Sequence, residues 1–177
     1  MIRKINGIKL RNFTDGTTYI VEDDLLETIT ASLFIPANTF KSNDWVTLDG
    51  AFTGAGSFGG GPGTITCKFY WNTTLSTTGA IQIALEDNSP LLGQQRAYWE
   101  FSRRLSIRTA NGGGSGISLG TELSATGVTG GRTEYDSQST ISNISINWTV
   151  DGYLFTTIQQ SVFSDISTQQ FFKLWTY

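Results

Sequence analysis

The stretch Thr64-Ile65-Thr66-Cys67-Lys68-Phe69-Tyr70-Trp71-Asn72-Thr73 decides the fold class. Ile65, Cys67, Phe69 and Trp71 alternate strictly with Thr66, Lys68 and Tyr70. Successive side chains of an extended chain point to opposite faces, so this run buries one face and turns the other outward. The same period recurs on both sides of it. Residues 28–40 read as a strand that ends in Ile35-Pro36-Ala37-Asn38-Thr39-Phe40, with Pro36 marking an edge or a turn. Residues 44–52 follow as a second strand, and 79–86 places Ile81, Ile83 and Leu85 on one face. Over residues 97–109, Ala97, Trp99, Phe101, Leu105 and Ile107 are in phase, with Arg103 as the misfit. Ile144, Ile146, Trp148 and Val150 form another stripe; the turn dipeptide Asp151-Gly152 then leads into a partner strand over 153–162. The chain closes on Phe171-Phe172-Lys173-Leu174-Trp175-Thr176-Tyr177, an aromatic strand that fixes this terminus in the sheet. Only residues 23–30 and 89–97 leave room for a helical turn. The fold class expected is all-β, an antiparallel β-sandwich of about eight strands with an N-terminal arm.

Composition agrees with that class and narrows the function. The 177 residues are 38% hydrophobic and 12% aromatic, enough for a core without disulfide or metal staples. Only 15% are charged, and Gly, Ser and Thr take their place. A net charge of −3 and a pI near 4.8 argue against nucleic-acid binding, whose affinity rests on clustered Lys and Arg. The absence of histidine removes Ser-His-Asp and Cys-His nucleophile pairs and His-ligated metals. Cys67 is the sole cysteine and sits on the apolar face of its strand, which reads as burial and not as a reactive thiol. No stretch reaches the roughly 18 apolar residues of a membrane span, and the N-terminus lacks a signal-peptide apolar region. Synthesis in a reducing cytoplasm, with no membrane partner, is the expectation.

Residues 1–27 differ from the rest. Arg3, Lys4, Lys9 and Arg11 carry a third of the basic residues, interleaved with Ile2, Ile5, Ile8 and Leu10, and the acidic run Glu22-Asp23-Asp24-Leu25-Leu26-Glu27 follows. Charge segregated in this way within a low-charge chain suits either a solvated arm or a segment that docks on a neighbour. The domain division expected is an arm over 1–27 and a sandwich over 28–177. Ile2, Arg3, Lys4, Ile5 and Arg11 are the candidate anchoring residues.

The remaining motifs carry little chemistry. Gly54-Ala55-Gly56-Ser57-Phe58-Gly59 matches the dinucleotide fingerprint in form, but Gly60-Gly61-Pro62-Gly63 follows where a helix N-terminus is needed. This segment and Asn111-Gly112-Gly113-Gly114-Ser115-Gly116 read as inter-strand loops. Glu86, Asp87 and Glu100 show no spacing that pairs two carboxylates as a glycosidase requires. A calcium site from Asp87, Asn88 or Asp136 lacks the D-x-[DN]-x-[DN]-G loop. No catalytic residue, cofactor or metal site is therefore assigned. Trp45, Trp71, Trp99, Trp148 and Trp175 mostly share parity with aliphatic neighbours, which places them in the core in preference to a sugar-stacking platform. The N-x-[ST] sequons at Asn12, Asn72, Asn143 and Asn147 are expected by chance in a chain this rich in Asn, Ser and Thr.

Leu33-Phe34-Ile35-Pro36-Ala37-Asn38-Thr39-Phe40, Phe69-Tyr70-Trp71-Asn72-Thr73-Thr74 and Ile146-Asn147-Trp148-Thr149-Val150-Asp151-Gly152-Tyr153, in this order, resemble a jelly-roll domain of tailed-bacteriophage virion proteins. The Gly-rich segment between the first two and Gln159-Gln160 after the last fit the same pattern. The resemblance covers residues 28–177 and implies a non-enzymatic virion structural protein of head-decoration, head-fibre or tail-fibre type. It further implies a homotrimer located on the virion. Partners would be other copies of the chain and capsid or other virion proteins. Attachment through the arm, which departs from the family's bare module, is expected from its charge pattern and not from the resemblance. The alternative is a tail or fibre domain that binds a receptor or host-surface glycan through the loops 54–63 and 112–131. A glycosidase on the same scaffold would instead need two facing carboxylates.

Overall fold

The computed structural model describes residues 19–22, 25–55, 63–91, 96–110, 116–127, 141–161 and 166–176. These form ten strands: β1 (Tyr19–Glu22), β2 (Thr28–Ile35), β3 (Trp45–Ala55), β4 (Gly63–Asn72), β5 (Ile81–Leu91), β6 (Arg96–Ile107), β7 (Gly116–Gly127), β8 (Ile141–Ile144), β9 (Gly152–Gln160) and β10 (Ile166–Thr176). Every pairing is antiparallel. One sheet runs β1-β10-β3-β6-β7-β8 and the other β2-β9-β4-β5. The all-β, antiparallel expectation holds.

The alternating faces decide the packing. Ile65, Cys67, Phe69 and Trp71 of β4 meet Val46, Leu48 and Phe52 of β3, Leu105 and Ile107 of β6, and Phe172 and Leu174 of β10 in one apolar core between the sheets. Leu33 and Ile35 of β2 and Leu154 and Ile158 of β9 complete it. Phe69 and Phe172 touch across the layers with ring centroids 5.9 Å apart. Cys67 is a fully buried thiol in this core.

Several sequence expectations are corrected. The strand count is ten among the described residues, not about eight. The first addition is β1, which lies within the segment read as arm and pairs Tyr19–Glu22 with Gln169–Ile166 of β10. The second is β7, which occupies most of the segment read as a loop over 112–131. Its phase slips at a bulge opposite Glu100 and Phe101, so the alternation is too short to stand out between glycine runs. The helical turns allowed at 23–30 and 89–97 do not form among the described residues: 25–27 are an irregular crossing with a bend at Leu26, and 28–30, 89–91 and 96–97 are strand. Arg103 is no misfit in position: it keeps the phase of its strand and is 3% exposed, its guanidinium donating to the Leu85 carbonyl at 3.5 Å.

The hairpin expected across Asp151-Gly152 is absent. β8 stops at Ile144 and pairs with β7, while β9 pairs with β2 and β4. Ile146 and Trp148 keep the buried phase, but Asn147 Oδ1 accepts from the Thr149 amide at 3.0 Å and the Thr149 hydroxyl at 2.7 Å. That side-chain turn competes with a ladder and ends the extended run. Pro90 lies in β5, an edge strand, where a missing N–H is tolerated.

Candidate functional site

The candidate anchoring residues Ile2, Arg3, Lys4, Ile5 and Arg11 lie outside the described residues. So do residues 56–62 and 111–115 of the glycine loops, and Asp136. The backbones of Glu86, Asp87 and Asn88 belong to β5 and that of Glu100 to β6, with their side chains outside the described set. Among the described residues no group of three or more His, Cys, Asp or Glu is placed to hold a metal ion, and no helix is long and apolar enough to cross a membrane.

The three stretches that carry the family resemblance converge at one end of the sheets. Register sets this up: Ile35 ends β2 opposite Gly152, and Asn72 ends β4 opposite Tyr153. The Asn38 amide donates to the Trp148 carbonyl at 2.8 Å, and the Ala37 amide to Asp151 Oδ1 at 2.7 Å. The Trp148 amide in turn donates to the Ala110 carbonyl at 3.0 Å. Phe40 meets Trp148 edge-to-face at 4.9 Å, and Trp148 meets Trp71 at 4.5 Å. Gly152 lies so close to Trp71 that a Cβ there would come within 2.5 Å of the indole and 2.8 Å of the Asn72 carbonyl.

Local chemistry makes these loops hold their shape. Asn38 and Asn43 adopt positive φ, 61° and 75°, which asparagine tolerates better than other residues with a Cβ. Lys41 N–H donates to Asp44 Oδ2 at 2.7 Å, closing the turn before β3. Asn72 Nδ2 donates to the carbonyls of Ser76 at 2.8 Å and Thr78 at 3.0 Å, closing the loop between β4 and β5. Asp44 and Asp151 thus act as acceptors for backbone amides. The groups gathered at this end knit loops together.

Large apolar side chains are exposed around the same end. Phe34 is 50% exposed at the close of β2 and meets Tyr153 at 5.4 Å with the rings at 60°. Trp45, at the start of β3, is 44% exposed; Leu75 and Val150 are exposed in the neighbouring loops. Trp71 and Trp148 are buried, as their parity predicts, whereas Trp45 is not. The side chains of Trp99 and Trp175 lie outside the described set.

A second cluster sits on the outer face of the four-stranded sheet. Tyr70 and Phe155 are register partners there, stacked at 5.4 Å and 27°, and Tyr70 is only 8% exposed. Glu27 Oε1 accepts from the Thr157 hydroxyl at 2.6 Å, and Oε2 pairs with Lys68 Nζ at 3.2 Å. The Tyr70 hydroxyl also donates to Glu27. Burial by itself would raise the Glu27 carboxyl. The hydrogen bonds from Thr157, Tyr70 and Lys68, with the Lys68 charge, outweigh it and hold the group below its ordinary 4.5. Burial, the bond to Glu27 and the charge of Glu27 all push the Tyr70 phenol upward. Alternation placed Lys68 and Tyr70 on one outer face. Their partners come from 41 residues earlier for Glu27 and, for Thr157, 130 residues beyond Glu27, which no local pattern shows.

Comparison with protein-family models, curated proteins and solved structures finds no match to this chain.

Proposed function

We propose that this chain is a structural subunit of a tailed-phage particle, a jelly roll that associates with copies of itself and attaches through its N-terminal segment. The observation that carries the reading is the strand order. A jelly roll of eight strands B to I pairs them as B-I-D-G and C-H-E-F. Assigning B to G to β1 through β6, and H and I to β9 and β10, reproduces both orders from the sheets observed. On this reading β7 and β8 are an insertion after G that widens the first sheet.

The placement of the three resembling stretches supports the same conclusion. Their residues meet as hydrogen-bonded loops and packed rings, which suits a module selected for shape. Proton transfer or ligand transfer would need groups of another kind. A surface low in charge loses little on desolvation, which favours permanent assembly, here a homotrimer. For glycan recognition, exposed coplanar rings would be the supporting feature. Among the described residues, the stacked pair Tyr70 and Phe155 is buried, and the exposed Phe34 meets the half-buried Tyr153 at a 60° tilt, so these rings favour the structural role.

The test is removal of residues 1–11, which contain the candidate anchors Ile2, Arg3, Lys4, Ile5 and Arg11. Particles purified from cells making the shortened chain should lack it on a gel and by mass spectrometry, while its thermal melting stays unchanged. Normal incorporation of the shortened chain would overturn the anchoring role.

A further inference from the structure

Two sets of contacts tie the chain before β2 to the sandwich. One is the short strand β1, whose four residues pair with Ile166–Gln169 at the edge of the six-stranded sheet. The other is the outer face of the four-stranded sheet, where residues 25–27 lie across β9 and β4. Gln159 Nε2 donates to the Leu25 carbonyl at 3.2 Å; Thr157 and Lys68 engage the two oxygens of Glu27 at 2.6 and 3.2 Å; Tyr70 donates to the same carboxylate. Thr157 is fully buried and Lys68 largely so, which fixes where the carboxylate sits. Leu26, between these anchor points, is exposed and adds little burial to the crossing.

An edge strand of four residues is a weak element by itself, because the ends of a ladder fray and few side chains support it. Its retention depends on whether the chain that follows is fixed close by. We propose that the Glu27 cluster is a latch: by pinning residues 25–27 on one sheet it keeps β1 in the other, and its opening releases the whole segment before Thr28 as a tether. The consequence is one of reach. Opening adds the nine residues 19–27 to the free segment and lengthens its reach by at most ~30 Å. That consequence rests on the anchoring role proposed above. The latch does not, since it is a property of the isolated subunit.

Native-state hydrogen exchange on the full chain tests it, because exchange of a protected amide reports the opening of its own structural unit. Glu27→Ala removes every acceptor of the cluster, and Thr157→Val removes the shortest bond with the least change of shape. In both variants the β1 amides should exchange about tenfold faster than in the parent, as expected for losing a charge-assisted hydrogen bond. The amides of β4 and β9 should keep their rates. A uniform acceleration across all strands would reduce the cluster to a general contribution to stability and overturn the latch. Unchanged β1 rates in two folded variants would overturn it as well. Because no particle enters the experiment, its failure is separate from failure of the anchoring role, which the truncation measures.

Discussion

Gly152→Ala puts the geometry of the knitted end under the sharpest test. Gly152 begins β9 with an ordinary negative φ, so alanine meets no backbone strain there. In open space the change would gain about 0.4–1 kcal/mol by restricting the unfolded chain. The added Cβ, however, would meet Trp71 Cζ2 at 2.5 Å, Cη2 at 2.7 Å and the Asn72 carbonyl at 2.8 Å. Trp71 cannot withdraw freely, because its indole already packs on Trp148, which packs on Phe40. The Asn72 carbonyl belongs to β4 and is fixed by register with β9. Overpacking of this kind costs about 1–3 kcal/mol. Set against the gain from restricting the unfolded chain, it leaves a net loss of up to about 2.6 kcal/mol, toward the upper end because one of the clashing atoms is backbone, and a Tm lower by up to about 10 °C. Trp71→Phe removes the two ring atoms that clash, so combining it with Gly152→Ala should cost less than the sum of the single changes. Differential scanning fluorimetry with urea titration reads all four proteins. A neutral or stabilising Gly152→Ala, or strict additivity with Trp71→Phe, would refute the close approach.

Further outcomes follow from other contacts. Glu27 is held below its usual 4.5 by Thr157, Tyr70 and Lys68, so its contribution is full above pH 4.5 and lost as pH falls through the lower folded value. Glu27→Gln should therefore flatten the acid limb of a stability–pH profile by under about 1 kcal/mol, the pair being partly solvated; an unchanged limb would contradict this. Asp151→Ala deprives the Ala37 amide of its acceptor in an exposed turn and should cost about 0.5–1.5 kcal/mol, read as a lower urea midpoint. Cys67 is fully buried, so a thiol reagent should label it at the rate of unfolding; fast labelling of the native protein would place it elsewhere.

The parts of the fold that were legible in sequence are those where alternation is long and undiluted. In β4, Ile65, Cys67, Phe69 and Trp71 point into the core as their spacing requires. Ile146 and Trp148 show the limit of the same rule: their phase gave the right burial and the wrong element, because the Asn147 side chain turned the backbone within an apolar stripe. In β7 the error ran the other way, a bulge and flanking glycines hiding a strand of twelve residues. Arg103 fits its strand by position but not by composition, and only the neighbouring sheet supplies the carbonyl it reaches. The Glu27 cluster was legible only in part. Lys68 and Tyr70 announce a polar outer face, while the carboxylate that joins them arrives through the crossing between the two sheets.

Self-association into a permanent assembly is the central claim, and the mass of the purified full-length protein by light scattering tests it most directly. The account predicts a stable species near three times the 19.3 kDa chain mass, unchanged on dilution. A single species at 19.3 kDa over the same concentration range would contradict it.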